Sequence, residues 1–285
     1  MWQCISEQIS ENLKNQFVAD EIHEIQTGDS QFAYKISDGN QSFFVKTNKR
    51  INLPNFEAES EGLQHLANPD IFTVPKVICS GLVAEHSFLV LEYLKIEQSQ
   101  NQNWLAFGQA LAELHQSNTQ NMYGWQADNF IGLSPQSNIW QKKWSHFFAE
   151  QRIGFMLQLL AEKGFHLANI DKVVASVERL LSGHSPVSSM LHGDLWQGNV
   201  GFVDNRPTLY DPAFYFGDRE TDIAMTELFG RFPENFYHGY NESWPLDDGY
   251  QYRKPIYQLY HVLNHGLLFG GNYIDSAKII LKNLD

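Results

Sequence analysis

Leu191-His192-Gly193-Asp194-Leu195-Trp196-Gln197-Gly198-Asn199 is followed, after an apolar strand and a turn, by Tyr210-Asp211-Pro212. Asp194 and Asn199 stand five positions apart, and Asp211 comes twelve after Asn199. The chain between them reads as a hairpin, with Val200 to Val203 as one arm, Asp204-Asn205 as the turn and Thr208 to Tyr210 as the return. Asp and Asn are common turn formers, so the same three residues also suit an ordinary hairpin. What lies upstream decides between the two readings.

A loop Asp, an Asn five residues later and a second Asp after a short hairpin is the spacing of protein-kinase-like phosphotransferases. In that arrangement Asp194 turns toward an acceptor hydroxyl, while Asn199 and Asp211 hold one metal ion beside the phosphates. Phosphoryl transfer asks little covalent help of a protein, so such groups position reactants and neutralise charge. His192 reads as a hydrogen-bonded loop histidine. The site also needs a lysine with a carboxylate partner. The segment from Gln41 to Lys46 is a strand that follows another, Phe32 to Ile36, across the turn Ser37-Asp38-Gly39-Asn40. Pro54 to Ala67 reads as a helix with Pro in its first turn. Phe56, Glu59, Leu63 and Leu66 share one helical stripe, where a carboxylate is costly unless paired. Lys46 is the expected partner of Glu59 and the expected grip on the nucleotide phosphates. A solvated acidic helix and a lysine at a strand end would also fit, but the downstream Asp and Asn in the right chain order favour the pair.

Thr27-Gly28-Asp29-Ser30-Gln31, between two strand-like segments, is the expected phosphate loop, with Gly28 and Ser30 beside the phosphates. It has one glycine, and the chain holds no Walker motif, which disfavours a P-loop NTPase. Phe88 to Leu94 is an apolar strand ending in a polar break. Backbone at Glu92, Tyr93 and Leu94 is expected to receive adenine.

His192-Gly-Asp-Leu-Trp-Gln-Gly-Asn199 together with Asp211-Pro-Ala-Phe-Tyr-Phe-Gly-Asp-Arg-Glu-Thr-Asp-Ile-Ala-Met-Thr-Glu-Leu-Phe-Gly230 resembles the fructosamine/ketosamine-3-kinase family, in the aminoglycoside-phosphotransferase branch of the protein-kinase-like fold. The resemblance spans nearly the whole chain. Trp196 and the block from Gly217 to Gly230 are its specific parts, and the sparse loop at Gly28 is its departure. It implies an ATP- and Mg²⁺-dependent kinase acting on the 3-hydroxyl of ketosamines, a deglycation role in which the unstable product sheds its sugar. It implies Asp194 as the base, Asn199 and Asp211 as Mg²⁺ ligands, and Trp196 stacked on the sugar or amine substituent. Asp218 and Glu220 are expected to meet the substrate amine, and Asp222 to bond the catalytic-loop backbone. Alternatives are a phosphotransferase for an aminoglycoside, choline or homoserine, and a nucleotide-binding pseudokinase. The presence of Lys46, Glu59, Asp194, Asn199 and Asp211 together argues against the last.

The expected fold is α+β and two-lobed. Residues 1–94 form a small antiparallel sheet with a helix, and residues 95–285 form a larger, mostly helical catalytic lobe. An initial helix over 3–16, strands near 21–27, 31–37, 41–47, 76–83 and 87–93, and helices near 138–163 and 168–183 fill this plan. The polar stretch Gln98 to Asn103 separates the lobes. Trp104, Phe107, Leu111 and Leu114 make an inward helix face. A net charge of −13 disfavours nucleic acid and anionic membranes. No apolar run reaches about 18 residues, and the N-terminus lacks the basic region of a signal peptide. Cys4 and Cys79 alone suit a reducing cytosol. His261 and His265, four apart, share a helix face but lack a zinc motif, and a structural or solvent-facing pair is expected.

Overall fold

The computed structural model describes residues 1–25, 32–97, 102–117 and 120–284. The phosphate loop with Gly28 and Ser30 lies outside them, as does most of the polar stretch from Gln98. The first part of the chain builds α1 (Trp2–Leu13), β1 (Glu21–Ile25), β2 (Phe32–Ser37), β3 (Ser42–Lys49), α2 (Leu53–Ala67), β4 (Val77–Val83) and β5 (His86–Glu92). The five strands form one antiparallel sheet in the order β1-β2-β3-β5-β4. Side chains alternate across a strand, so the sheet has two apolar faces. Ile36, Phe43, Val45, Phe88 and Val90 pack with Ile5 and Ile9 of α1. Leu89 and Leu91 pack with Phe56 and Leu63 of α2. Lys46 stands opposite Leu89 in the β3–β5 register. Directly opposed residues point to the same side, so Lys46 projects toward the α2 face.

The chain continues through α3 (Trp104–Gln116), capped by the Asn103 side chain, which accepts from the Ala106 N–H at 3.1 Å. Phe107, Leu111 and Leu114 of α3 are buried. The short strands β6 (Asn129–Ile131) and β7 (Ser134–Gln136) pair with each other. Next, α4 (Trp144–Phe147) runs through a π-helical stretch, Phe148–Gly154, into α5 (Phe155–Glu162). The helix expected from 138 begins only at Trp144 because Asn138 and Gln141 bond the backbone of Trp125 and Tyr123. The π turn carries Arg152 into the interior, where its guanidinium lies over the Tyr215 ring at 4.0 Å and donates to Ser137 O and Asn138 Oδ1. After α6 (Ile170–Leu181) and β8 (Ser188–Leu191) comes the hairpin of β9 (Val200–Val203) and β10 (Arg206–Leu209). Asp204 and Asn205 both take positive φ, 49° and 61°, as a two-residue I′ turn requires. The order ends with β11 (Tyr215–Asp218), antiparallel to β8, and helices α7 (Glu220–Thr226), α8 (Glu234–Ser243), α9 (Tyr250–Phe269) and α10 (Asn272–Lys282). Gly108 of α3 and Gly239 of α8 allow these helices to touch backbone to backbone, since a Cβ on either would overlap Phe236 O or Leu105 O. Among the described residues no helix is long and apolar enough to cross a membrane.

By internal contacts the chain divides into two compact units: Met1–Gln102 with Gly201–Asp211, and Asn103–Val200 with Pro212–Asp285. A sequence division at 94/95 assigns residues 201–211 to the second lobe. The hairpin's bonds place them in the first instead: Thr73 N–H donates to Pro207 O at 2.9 Å, Leu209 N–H to Thr73 O at 3.0 Å, and Glu97 N–H to Phe202 O at 2.8 Å.

Candidate active site

The first unit holds a buried ion cluster. Lys46 Nζ lies 2.7 Å from Glu59 Oε1 and 2.5 Å from Asp211 Oδ1. Strand alternation delivers the lysine, the apolar stripe of α2 delivers Glu59, and the hairpin returns Asp211, which sits at φ 56°. The side chains of Lys46 and Glu59 are 6% and 11% exposed, whereas that of Asp211 is 41% exposed, so the cluster opens toward solvent at Asp211. Burial opposes the Lys46 charge, but Asp211 and Glu59 outweigh it and hold the ammonium's pKa above its ordinary value. Burial raises the Glu59 carboxyl against the pull of Lys46. One cation between two carboxylates, one of them facing out, is an arrangement ready to trade a carboxylate contact for a phosphate.

At the expected adenine strand, pairing with β3 runs to Glu92, so Tyr93 and Leu94 lie just past the ladder. Glu92 N–H donates to Lys76 O at 2.8 Å, and Leu94 O accepts from Ile96 N–H at 3.1 Å. Lys35 Nζ sits 4.7 Å over the Tyr93 ring.

The second unit holds the loop after β8. Gly193 has φ +82°, and a Cβ there would overlap Ala213 O, so only glycine fits. Asp222, at the first turn of α7, accepts from His192 N–H at 2.8 Å and Gly193 N–H at 2.9 Å. Behind it His115 Nε2 lies at 3.2 Å, and His115 Nδ1 pairs with Tyr240 OH at 2.8 Å. Burial would raise the Asp222 pKa, but the bonds from His115 and the loop amides win and lower it. A buried carboxylate thus fixes the two peptide units preceding Asp194. Asp194 N–H in turn donates to His192 Nδ1 at 3.2 Å, which gives His192 the role of a bonded loop residue. Asn199 Nδ2 donates to Asp194 O at 2.9 Å and Asp194 Oδ2 at 3.1 Å, so the five-residue spacing closes a tight loop. Trp196 is 37% exposed, with its ring over Gly198.

Asp218 and Glu220 have other work. Both are buried. Asp218 Oδ2 accepts from Tyr257 OH at 2.6 Å and meets His184 Nε2 at 2.7 Å. Glu220 takes a two-pronged bond from Arg253, 2.7 Å on each oxygen. The place expected for a substrate amine is filled by the protein's own cation. Burial opposes the His184 charge, but Asp218 and Glu220 outweigh it and raise its pKa. His265 Nδ1 lies 2.9 Å from His261 O, one turn back on α9. His261 is buried, with its pKa pushed down to about 3 by burial first and His265 second. No sequence signal marked His115, Tyr240, His184 or Arg253, since each reaches its partner from 33 to 125 residues away.

The family model for fructosamine kinases matches residues 1–285. A probable ketoamine kinase of Vibrio parahaemolyticus is 46% identical over 285 residues, covering 100% of this chain and 99% of that protein. A crystal structure of a protein assigned as a fructosamine-3-kinase, from Haemophilus somnus, superposes with TM-score 0.95 at 38% identity, covering 100% of this chain and 97% of that one. A ternary complex of an aminoglycoside phosphotransferase with AMP-PNP and hygromycin B matches with TM-score 0.58 at 15% identity, over 98% of this chain and 97% of that one, a likeness of fold.

Proposed function

The chain belongs to the fructosamine kinase family, and we propose that it transfers the γ-phosphoryl group of ATP to the 3-hydroxyl of a ketosamine. The observation that best supports this reading is the doubly braced loop, in which Asp222 holds the backbone before Asp194 and Asn199 closes the turn after it. Asp194 accepts the hydroxyl proton late, because the transition state is loose. Lys46, oriented by Glu59, contacts the phosphates, and the backbone at Glu92 to Leu94 takes adenine. Trp196, exposed beside the loop, stacks on the sugar. The phosphorylated ketosamine is labile and sheds its sugar, which gives the enzyme a deglycation role in a reducing cytosol, in keeping with its two free thiols.

Asn199 and Asp211 suit Mg²⁺. The Asn199 amide nitrogen bonds Asp194, so its carbonyl oxygen is the atom that would face an ion, and Asp211 would add a carboxylate. Hard oxygen donors in small number fit an ion that keeps waters and phosphate oxygens in its shell. When bound, Mg²⁺ neutralises charge on the phosphates.

The test is phosphorylation of fructoselysine and ribuloselysine beside kanamycin and choline, read by mass with ATP and Mg²⁺, with Asp194→Asn as control. Phosphate gained on the ketosamines alone, and lost in the variant, is the expected result. Transfer only to another acceptor would keep the kinase and discard the substrate. ATP binding with no transfer to any acceptor would favour a pseudokinase.

A further inference from the structure

Among the described residues, α9 carries two buried polar atoms with no hydrogen-bond partner, His261 Nδ1, which lies near Asp194, and Asn264 Oδ1. Both residues are 3% exposed. Three positions apart on a helix, they share one face. Buried polar groups are rarely left unpaired, so this face is built to be completed by something else. His261 Nδ1 lies 3.9 Å from Asp194 Oδ1. That is too long for a hydrogen bond. It is also no ion pair, since burial keeps the imidazole neutral. One oxygen atom placed about 2.8 Å from His261 Nδ1 and from Asp194 Oδ1 would give the ring nitrogen its partner and lie within hydrogen-bond reach of the carboxylate.

We propose that this oxygen is the acceptor hydroxyl and that His261 is a catalytic residue holding it for Asp194. The inference rests on Asp194 being the base of the proposed kinase. His261 Nδ1–H donates to one lone pair of the hydroxyl oxygen, and the hydroxyl donates its proton to Asp194. The second lone pair is then left facing the γ-phosphorus. As the new O–P bond forms, the bond from the γ-phosphorus to its bridging oxygen breaks. The hydroxyl proton ends on Asp194, and His261 gives up no proton. A neutral ring suits this task, because an imidazolium beside the carboxylate would weaken it as a base.

The experiment measures binding of fructoselysine and of its 3-deoxy analogue by calorimetry without ATP, and kcat and KM with ATP, for wild type and three variants. Wild type is expected to prefer the hydroxyl compound by about tenfold or more, the worth of a buried hydrogen bond to substrate. His261→Phe narrows that preference by about fivefold and lowers kcat. His261→Asn keeps a polar atom near the Nδ1 position and restores much of the preference. His261→Gln moves it toward the Nε2 position and does not, so this pair decides even where His261→Phe fails to fold. Equal preference in wild type, Phe and Gln variants, with only a lowered melting temperature, would make His261 a packing residue completed by water and overturn the inference alone. A wild-type protein that neither binds nor phosphorylates a ketosamine would overturn the proposed function and the inference with it.

Discussion

Asp222→Ala removes a carboxylate that ties α7 to the loop carrying Asp194, and its cost follows from its partners. Two buried loop amides, His192 N–H and Gly193 N–H, lose their acceptor, and His115, fully buried, loses its anion. Each buried donor left unpaired costs about 1–3 kcal/mol. Three such buried donors, less the relief from no longer burying the carboxylate, come to a net cost of about 3–5 kcal/mol. Folding stabilities run to about 5–15 kcal/mol, so the variant should still fold. Urea unfolding followed by tryptophan fluorescence should show the midpoint falling by about 1 M or more, given a slope of about 3 kcal/mol per M for a chain of this size. Asp222→Asn should fall between, because its oxygen serves one amide while its NH₂ opposes the other. The loss has a second signature. Freed from Asp222, the loop no longer holds Asp194, so kcat should drop by about tenfold or more while ATP affinity stays near wild type. A midpoint shift under about 0.3 M, or a kcat unchanged in Asp222→Ala, would refute the view that this carboxylate holds the loop.

Three further outcomes are expected. Lys46→Met leaves Glu59 and Asp211 facing each other without their cation, and ATP affinity measured by calorimetry should weaken by about 2 kcal/mol or more, roughly thirtyfold; unchanged affinity would remove Lys46 from the phosphate site. Gly193→Ala places a Cβ against Ala213 O at φ +82°, where the left-handed backbone alone costs about 1–2 kcal/mol, so both melting temperature and kcat should fall. For His184 the folded pKa is raised above 6.5, so the folded state binds this proton more tightly than the unfolded chain; its contribution is complete below about 6.5 and is lost as pH rises through the folded value. The stability difference between wild type and His184→Gln, from urea melts, should therefore shrink from pH 6 to pH 9, and a constant or growing difference would reverse the assignment.

The sequence by itself determined whatever is local or periodic. Glu59 in an apolar helical stripe demands a buried cation, and strand alternation puts Lys46 on the face where α2 packs. Asp204-Asn205 marks a turn between two strands. The whole-chain family likeness follows from the same motifs. What only the tertiary structure decided is which buried polar groups meet. The stretch Asp218-Arg219-Glu220 reads as acidic and available, yet the fold turns both carboxylates inward onto His184, Tyr257 and Arg253. The pair His261 and His265 reads as one helix face, yet their ring nitrogens have different fates, one bonded to a backbone carbonyl and one left unpaired beside Asp194. The hairpin strands lie in the second half of the sequence, yet their bonds run to Thr73 and Glu97. Periodicity reports which side of an element faces the core. It carries no information about which other element waits there, because that is set by packing between segments a hundred residues apart.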